Sequence, residues 1–153
     1  MKFEKFLKRC GVHSRIMNRR NGDKWLLCGG VGMKIPEGVI ELLGHGKVDA
    51  ATHEVVERII KSENDDIVEL TSAYIPADGR PNDIVRIFKS IGGPFDDVKE
   101  IGIRNADFGL LEKSDLRLRY FDLMNENDLF MSFLQVLDQN NEVVGFIQGI
   151  EEN

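Results

Sequence analysis

Trp25-Leu26-Leu27-Cys28-Gly29-Gly30-Val31-Gly32-Met33-Lys34-Ile35-Pro36-Glu37-Gly38 begins as an apolar strand, breaks into glycines and restarts at a proline placed to open a helix. A strand, a glycine loop and a helix in that order can cradle a phosphate. The residues themselves weigh against it. A dinucleotide fingerprint needs G-x-G-x-x-G, and Gly30-Val31-Gly32-Met33-Lys34-Ile35 lacks the last glycine. A P-loop needs a glycine before its lysine and a hydroxyl after it; Met33 and Ile35 flank Lys34 instead. Pro36 also removes an amide that an anion would use. What survives of the anion reading is a backbone nest over Gly29, Gly30 and Gly32 with Lys34 adding charge. The favoured reading is structural, a bend or bulge whose glycines supply positive φ.

Upstream, Phe3, Phe6, Leu7 and Cys10 recur at helical spacing and Gly11 stops the run, which predicts a short amphipathic helix. Val12–Arg19 and Lys24–Cys28 are strand-like around Arg20-Asn21-Gly22-Asp23, and Asn-Gly is the strongest short signal for a type I′ hairpin. This segment is basic. Residues 1–34 carry nine Lys/Arg against Glu4 and Asp23, a net +7, which leaves −13 for the rest of a chain whose net charge is −6. Arg15, Arg19, Arg20 and Lys24 are therefore the candidate contacts to nucleic acid. Few aromatics interleave with them, as base stacking would require, so pairing with the chain's own acidic remainder is the favoured use. That pairing can run within one subunit or between two, and the second case predicts a homo-oligomer joined through ends of opposite charge.

Downstream, Pro36–Leu43 reads as a brief helix closed by Gly44. After the loop Gly44-His45-Gly46-Lys47 comes the clearest helix. Asp49 or Thr52 caps it, Ala51, Val55, Val56, Ile59 and Ile60 form its buried stripe, and Glu54–Arg58 and Glu57–Lys61 stand four apart in the favourable order. A second helix is expected from Asp65 or Asp66 through Ile67, Val68, Leu70 and Tyr74 to Pro76. Ala77–Asn82 is turn chemistry, Ile84–Lys89 and Lys99–Arg104 read as strands around a loop over Ser90–Asp97, and Asn105–Ser114 reads as an extended connection and a turn. Leu116–Leu123, Leu129–Leu137 and Val143–Ile150 are three strand-length runs separated by polar turns, a meander with the doubly apolar Leu129–Leu137 at its centre. Helices early and strands late predict an α+β fold: one compact domain over residues 1–153, an antiparallel sheet of about five to seven strands, three or four helices mainly in the first half.

Several chemistries find no complete motif. Asp107-Phe108-Gly109 copies a kinase triplet with no other kinase element in the chain. His53-Glu54-Val55-Val56-Glu57 ends in a carboxylate where a zinc helix has histidine, and neither Cys10 nor Cys28 lies in a C-x-x-C pair, so no metal and no cofactor is expected. Cys28 could act as a nucleophile only with a histidine base; His13 is the candidate, although the hairpin puts Arg15 nearer. Arg117 and Arg119 share one strand face and would form a basic ridge unless the acidic end neutralises it. No apolar run reaches the length that spans a bilayer, Met1–Cys10 lacks a signal-peptide core, and two thiols suit a reducing compartment, so a cytoplasmic protein without a membrane partner is expected.

The run Trp25–Pro36, together with Asn105-Ala106-Asp107-Phe108-Gly109-Leu110-Leu111-Glu112 and Val143-Val144-Gly145-Phe146-Ile147, resembles small proteins of unassigned function encoded by bacterial prophages and mobile elements. The resemblance implies a bacterial, intracellular, accessory role and carries no functional residue. The expected function is accordingly a non-enzymatic interaction module with a protein partner, self-associating or not. The alternatives are nucleic-acid binding through the basic hairpin, and a small-ligand or phosphate enzyme using the Gly29–Lys34 loop.

Overall fold

The computed structural model describes residues 1–39, 46–62, 66–91, 98–114, 117–124 and 130–150. Helix α1 (Phe3–Cys10) buries Phe3, Phe6 and Cys10 along one stripe and ends at Gly11, whose φ of 51° no longer continues a helix. A 3-10 turn over Gly11–His13 leads into β1 (Arg15–Asn18), β2 (Lys24–Cys28) and β3 (Val31–Lys34), an antiparallel meander. The chain then gives β4 (Gly46–Lys47), α2 (Ala50–Lys61), β5 (Val68–Tyr74), β6 (Val85–Ser90), β7 (Glu100–Arg104), α3 (Asn105–Phe108), β8 (Arg117–Met124), β9 (Phe130–Leu137) and β10 (Val143–Gln148). The expected α+β class, the C-terminal meander β8-β9-β10 and the early placement of the longer helices all hold.

Two sheets, not one, carry the strands. The larger has the order β4-β1-β2-β3-β10-β9-β8, and the smaller is β5-β6-β7. β10 pairs with β3, so the C-terminal meander closes onto the N-terminal one in the middle of the large sheet. Only β4 departs from antiparallel order, returning beside β1 in parallel. β9 is bonded on both sides, and Phe133 through Leu137 are all buried, which explains why its sequence is apolar on both faces.

Alternation along these strands sorts the core into two layers. Leu26, Met33, Leu134, Val136 and Ile147 face α1 and the small sheet, where Phe3, Phe6, Phe88, Ile101 and Ile103 complete the layer. Met17, Trp25, Leu27, Phe133, Leu137 and Phe146 face the other way, toward Val56 and Ile59 of α2. Trp25 stacks on Phe146 at 5.9 Å, and Phe133 meets Phe146 edge-on at the same distance.

Three local readings change. The predicted helix through Ile67–Tyr74 is β5, paired with β6 over six registered positions. Its apolar spacing fits either period, but the β-branched and aromatic residues find a strand partner in β6, and that pairing wins. The predicted helix at Pro36 does not start: Val39 closes a turn onto the Pro36 carbonyl at 3.4 Å and Gly38 has φ 89°, while residues 40–43 lie outside the described residues. Asn105–Phe108 forms the short helix α3 where an extended connection was expected.

The two glycine turns also exchange roles. Asn21 keeps a negative φ and only Gly22 is positive, at 92°; Arg19 N–H bonds Asp23 O at 2.8 Å around a three-residue loop. The type I′ geometry belongs to Gly29-Gly30, with φ of 58° and 80° at the centre of a two-residue turn closed by the Cys28–Val31 pair.

Candidate functional site

α2 is the element that makes a site. It is well begun and lightly buried. The Asp49 carboxylate accepts the Thr52 amide at 2.7 Å, and these hydrogen bonds hold its pKa below the usual carboxylate range. Val56 and Ile59 are its buried residues, and two such side chains stabilise the docked helix by about 4 kcal/mol. Polar straps add to that. Arg19 donates to both carboxylate oxygens of Glu57, at 2.8 and 3.3 Å, and this contact first and foremost lowers the Glu57 pKa. His53 Nε2 lies 3.2 Å from Asn18 O. At the other end, Gln135 Nε2 donates to Ile59 O at 2.6 Å and Arg119 donates to Ser62 O at 3.1 Å, so both reach the carbonyls that a helix C-terminus leaves unpaired.

A helix held at its edges over a wide sheet leaves space beside it. The cleft has a volume of about 680 Å³, within the range of small-molecule sites. Leu27, Val55, Val56, Ile59, Phe133 and Phe146 form its apolar part. His13, Arg15 and Lys47 stand at its rim with Asp49 and Thr52, and Cys28, Gly29, Gly30 and Gln148 close one end. Three separate segments thus bring cationic or titratable side chains to one opening. Arg15 is fixed there by bonds from Nη1 to Ser14 O at 3.0 Å and Val12 O at 3.4 Å.

The anion loop read from Gly29, Gly30, Gly32 and Lys34 does not converge. Gly29-Gly30 is a tight turn, and both residues are left-handed, whereas a nest needs right- and left-handed residues in alternation. Gly32 lies within β3 beneath the Phe146 ring, where a Cβ would come within 2.3 Å. Lys34, four residues and about 13 Å along the strand from Gly30, sits 3.6 Å from Asp23. Only Gly29 and Gly30 reach the cleft, and they do so as backbone.

The basic hairpin separates in the same way. Arg15 and Met17 share the face toward α2, and Lys24, registered with Asn18, projects from the opposite face. Arg19 is committed to Glu57 with Asp23 nearby, and Arg20 lines a second, polar groove with Asn21, His53 and Glu54. No single ridge results. Charge complementarity instead operates within the chain, through Arg19–Glu57 and through Arg9 with the buried Asp107. Arg117 and Arg119 do share a face, yet Arg117 bonds Asn141 while Arg119 caps α2.

His13 and Cys28 both border the cleft, but no hydrogen bond joins them among the described residues. Cys28 packs instead near Cys10, whose thiol burial, with Cys28 as the next cause, pushes up to about 12. His45 lies outside the described residues, and these contain no group of three or more His, Cys, Asp or Glu placed to hold a metal. Asp107-Phe108-Gly109 proves to be a dock for α1: Arg9 pairs with Asp107, Lys5 Nζ donates to Gly109 O at 3.2 Å, and Arg86 lies 4.8 Å over the Phe108 ring. The cleft itself had no sequence signal, because Arg15, Lys47 and the Phe133–Phe146 pair come from three separate parts of the chain.

Fold and site together define an α+β protein with a helix-roofed, amphipathic cleft on a seven-stranded mixed sheet. No family model, curated protein or solved structure matches the chain. Among the described residues no helix is long and apolar enough to cross a membrane.

Proposed function

We propose that the protein is a non-enzymatic accessory module whose cleft binds a small amphipathic acid. The apolar body lies against Val55, Ile59, Phe133 and Phe146, and the acidic group meets His13, Arg15 and Lys47. The observation that carries this reading is an apolar floor under a rim that sets His13, Arg15 and Lys47 against one carboxylate, Asp49, itself engaged by the Thr52 amide, in one cleft of ligand size. The same rim supports neither a phosphate cradle nor a nucleic-acid ridge, because Lys34 and Lys24 stand elsewhere. The setting we propose with it is the bacterial cytoplasm in a phage-related role, supported by the prophage resemblance and by two free thiols.

Trp25 provides the readout. It is the chain's one tryptophan and stacks on Phe146, which lines the cleft. Decanoate should change its fluorescence saturably, and decanol should bind more weakly. Lys47→Ala should weaken decanoate about tenfold, the loss of one charge-assisted contact of roughly 1.4 kcal/mol, and leave decanol unchanged. Equal affinity for acid and alcohol, or no saturable binding of either, defeats the proposal.

A further inference from the structure

Cys10 and Cys28 are the chain's two cysteines, and the fold brings them together from different elements. Cys10 is the last residue of α1 and belongs to the buried stripe that packs on the large sheet. Cys28 is the last residue of β2, where it shares with Leu26 and with its cross-strand partner Val31 the face turned toward α1. The two thiols are hydrogen-bonded neighbours, and Cys28 is the next cause after burial that holds the Cys10 thiol up at about 12.

Their surroundings differ as those of an attacking and a resolving thiol do. Cys10 is 4 % exposed, enclosed with Phe6 beneath α1, whereas Cys28 is half-buried at its strand end. Each cysteine is followed by a glycine with positive φ, 51° at Gly11 and 58° at Gly29, and a Cβ on either would meet nothing within 4 Å. Open space therefore borders both turns, and the residue beside each sulfur is the type whose backbone shifts most freely.

We propose that Cys10 and Cys28 form a reversible redox couple, a dithiol that a small-molecule disulfide oxidises to an intramolecular disulfide. In the first step the Cys28 thiolate attacks one sulfur of the small disulfide. A Cys28–sulfur bond forms, the reagent's S–S bond breaks, and the departing thiolate takes up the proton that Cys28 released. In the second step the Cys10 sulfur attacks Cys28 Sγ and expels the other small thiolate, which takes up the Cys10 proton. Two protein thiols are oxidised, and one small disulfide is reduced to two thiols. The first step prepares the second. Once Cys28 is capped, its hydrogen bond and its charge no longer oppose ionisation of Cys10, and Arg9 still favours the Cys10 thiolate against Asp107. The bond ties the end of α1 covalently to the large sheet. In a reducing compartment it is transient and returns to the dithiol. The couple stands independently of what the cleft binds.

Glutathione buffers of graded oxidised-to-reduced ratio test it on the folded chain, with acid quenching, intact mass and mapping of the cysteine peptides. The wild-type chain should lose two hydrogens and join Cys10 to Cys28 within one molecule, and dithiothreitol should reverse this. The oxidised chain should unfold at a higher urea concentration than the reduced one, because the cross-link restricts the unfolded chain. Cys10→Ala should stop at a glutathione adduct on Cys28. Cys28→Ala should react at least tenfold more slowly than the wild type, because the remaining thiol is enclosed. Circular dichroism shows whether each variant is folded, and the wild-type result decides where one is not. Thiols that stay reduced in the most oxidising buffer, a Cys28 adduct that never passes to Cys10, disulfides only between molecules, an oxidised chain that unfolds at lower urea, or a folded Cys28→Ala as reactive as the wild type overturns the proposal.

Discussion

Gly29, Gly30 and Gly32 stand within four positions of one another and do different work. Gly29 and Gly30 hold a two-residue turn that needs positive φ at both centres, and Gly32 makes room for the Phe146 ring on the strand that follows. The consequences of adding a methyl differ accordingly. At Gly29 nothing lies within 4 Å of a new Cβ, so Gly29→Ala should cost about 1 kcal/mol, the strain of a left-handed alanine. At Gly32 the Cβ would meet Phe146 at 2.3 Å and Leu27 at 2.8 Å, so Gly32→Ala should cost about 3 kcal/mol and disturb the Trp25 stack. Urea titrations of both variants, followed by Trp25 fluorescence, separate the two values. A sequence reader could see that these glycines serve geometry, but Phe146 is more than a hundred residues away, and its position over Gly32 was not legible.

Among the elements, α2 was the most legible and β5 the least. The Asp49 cap and the Glu57–Lys61 pair are local and take the places their spacing predicts, while of the expected stripe Val56 and Ile59 are buried, Val55 and Ile60 half-buried and Ala51 exposed. The strap through Arg19 is not local, and it links the helix to pH. Arg19 holds the Glu57 carboxylate below its ordinary value of 4.5 in the folded chain. The strap's stability is therefore fully present above about pH 4.5 and is lost as pH falls through the depressed folded value. Glu57→Gln should lower the melting temperature at pH 7 and should flatten its decline below pH 4.5; an acid limb as steep as that of the wild type would contradict the assignment. β5 misled because Ile67, Val68, Leu70 and Tyr74 fit a helical stripe on paper. No local rule announces that Leu70 will face Phe88 of β6, and the strand exists because that partner does.

At the level of the whole molecule, Asp107 tests whether the parts form one cooperative unit. α1 packs on the large sheet, α3 follows the last strand of the small one, and Arg9–Asp107 ties them together with Asp107 only 5 % exposed. Asp107→Asn should cost about 2 kcal/mol and still give one transition, superimposable by far-ultraviolet circular dichroism and Trp25 fluorescence. Two separated transitions would mean that the sheets unfold independently. The sequence by itself determined what is set within a few residues. That includes the α+β class, the first helix and its Gly11 stop, α2 with its cap, the hairpin at Asn21-Gly22 and the three C-terminal strands, because period, cap and turn preferences act at short range. It also showed an imbalance of charge that had to be answered somewhere. Tertiary structure alone decided where. It chose Glu57 and Asp107 as the answering acids, split the strands into two sheets, inserted β10 beside β3, and assembled the cleft from segments far apart in the chain. Those choices depend on which distant surfaces bury the most apolar area while leaving the fewest polar groups unpaired, and that sum is taken over the whole chain at once.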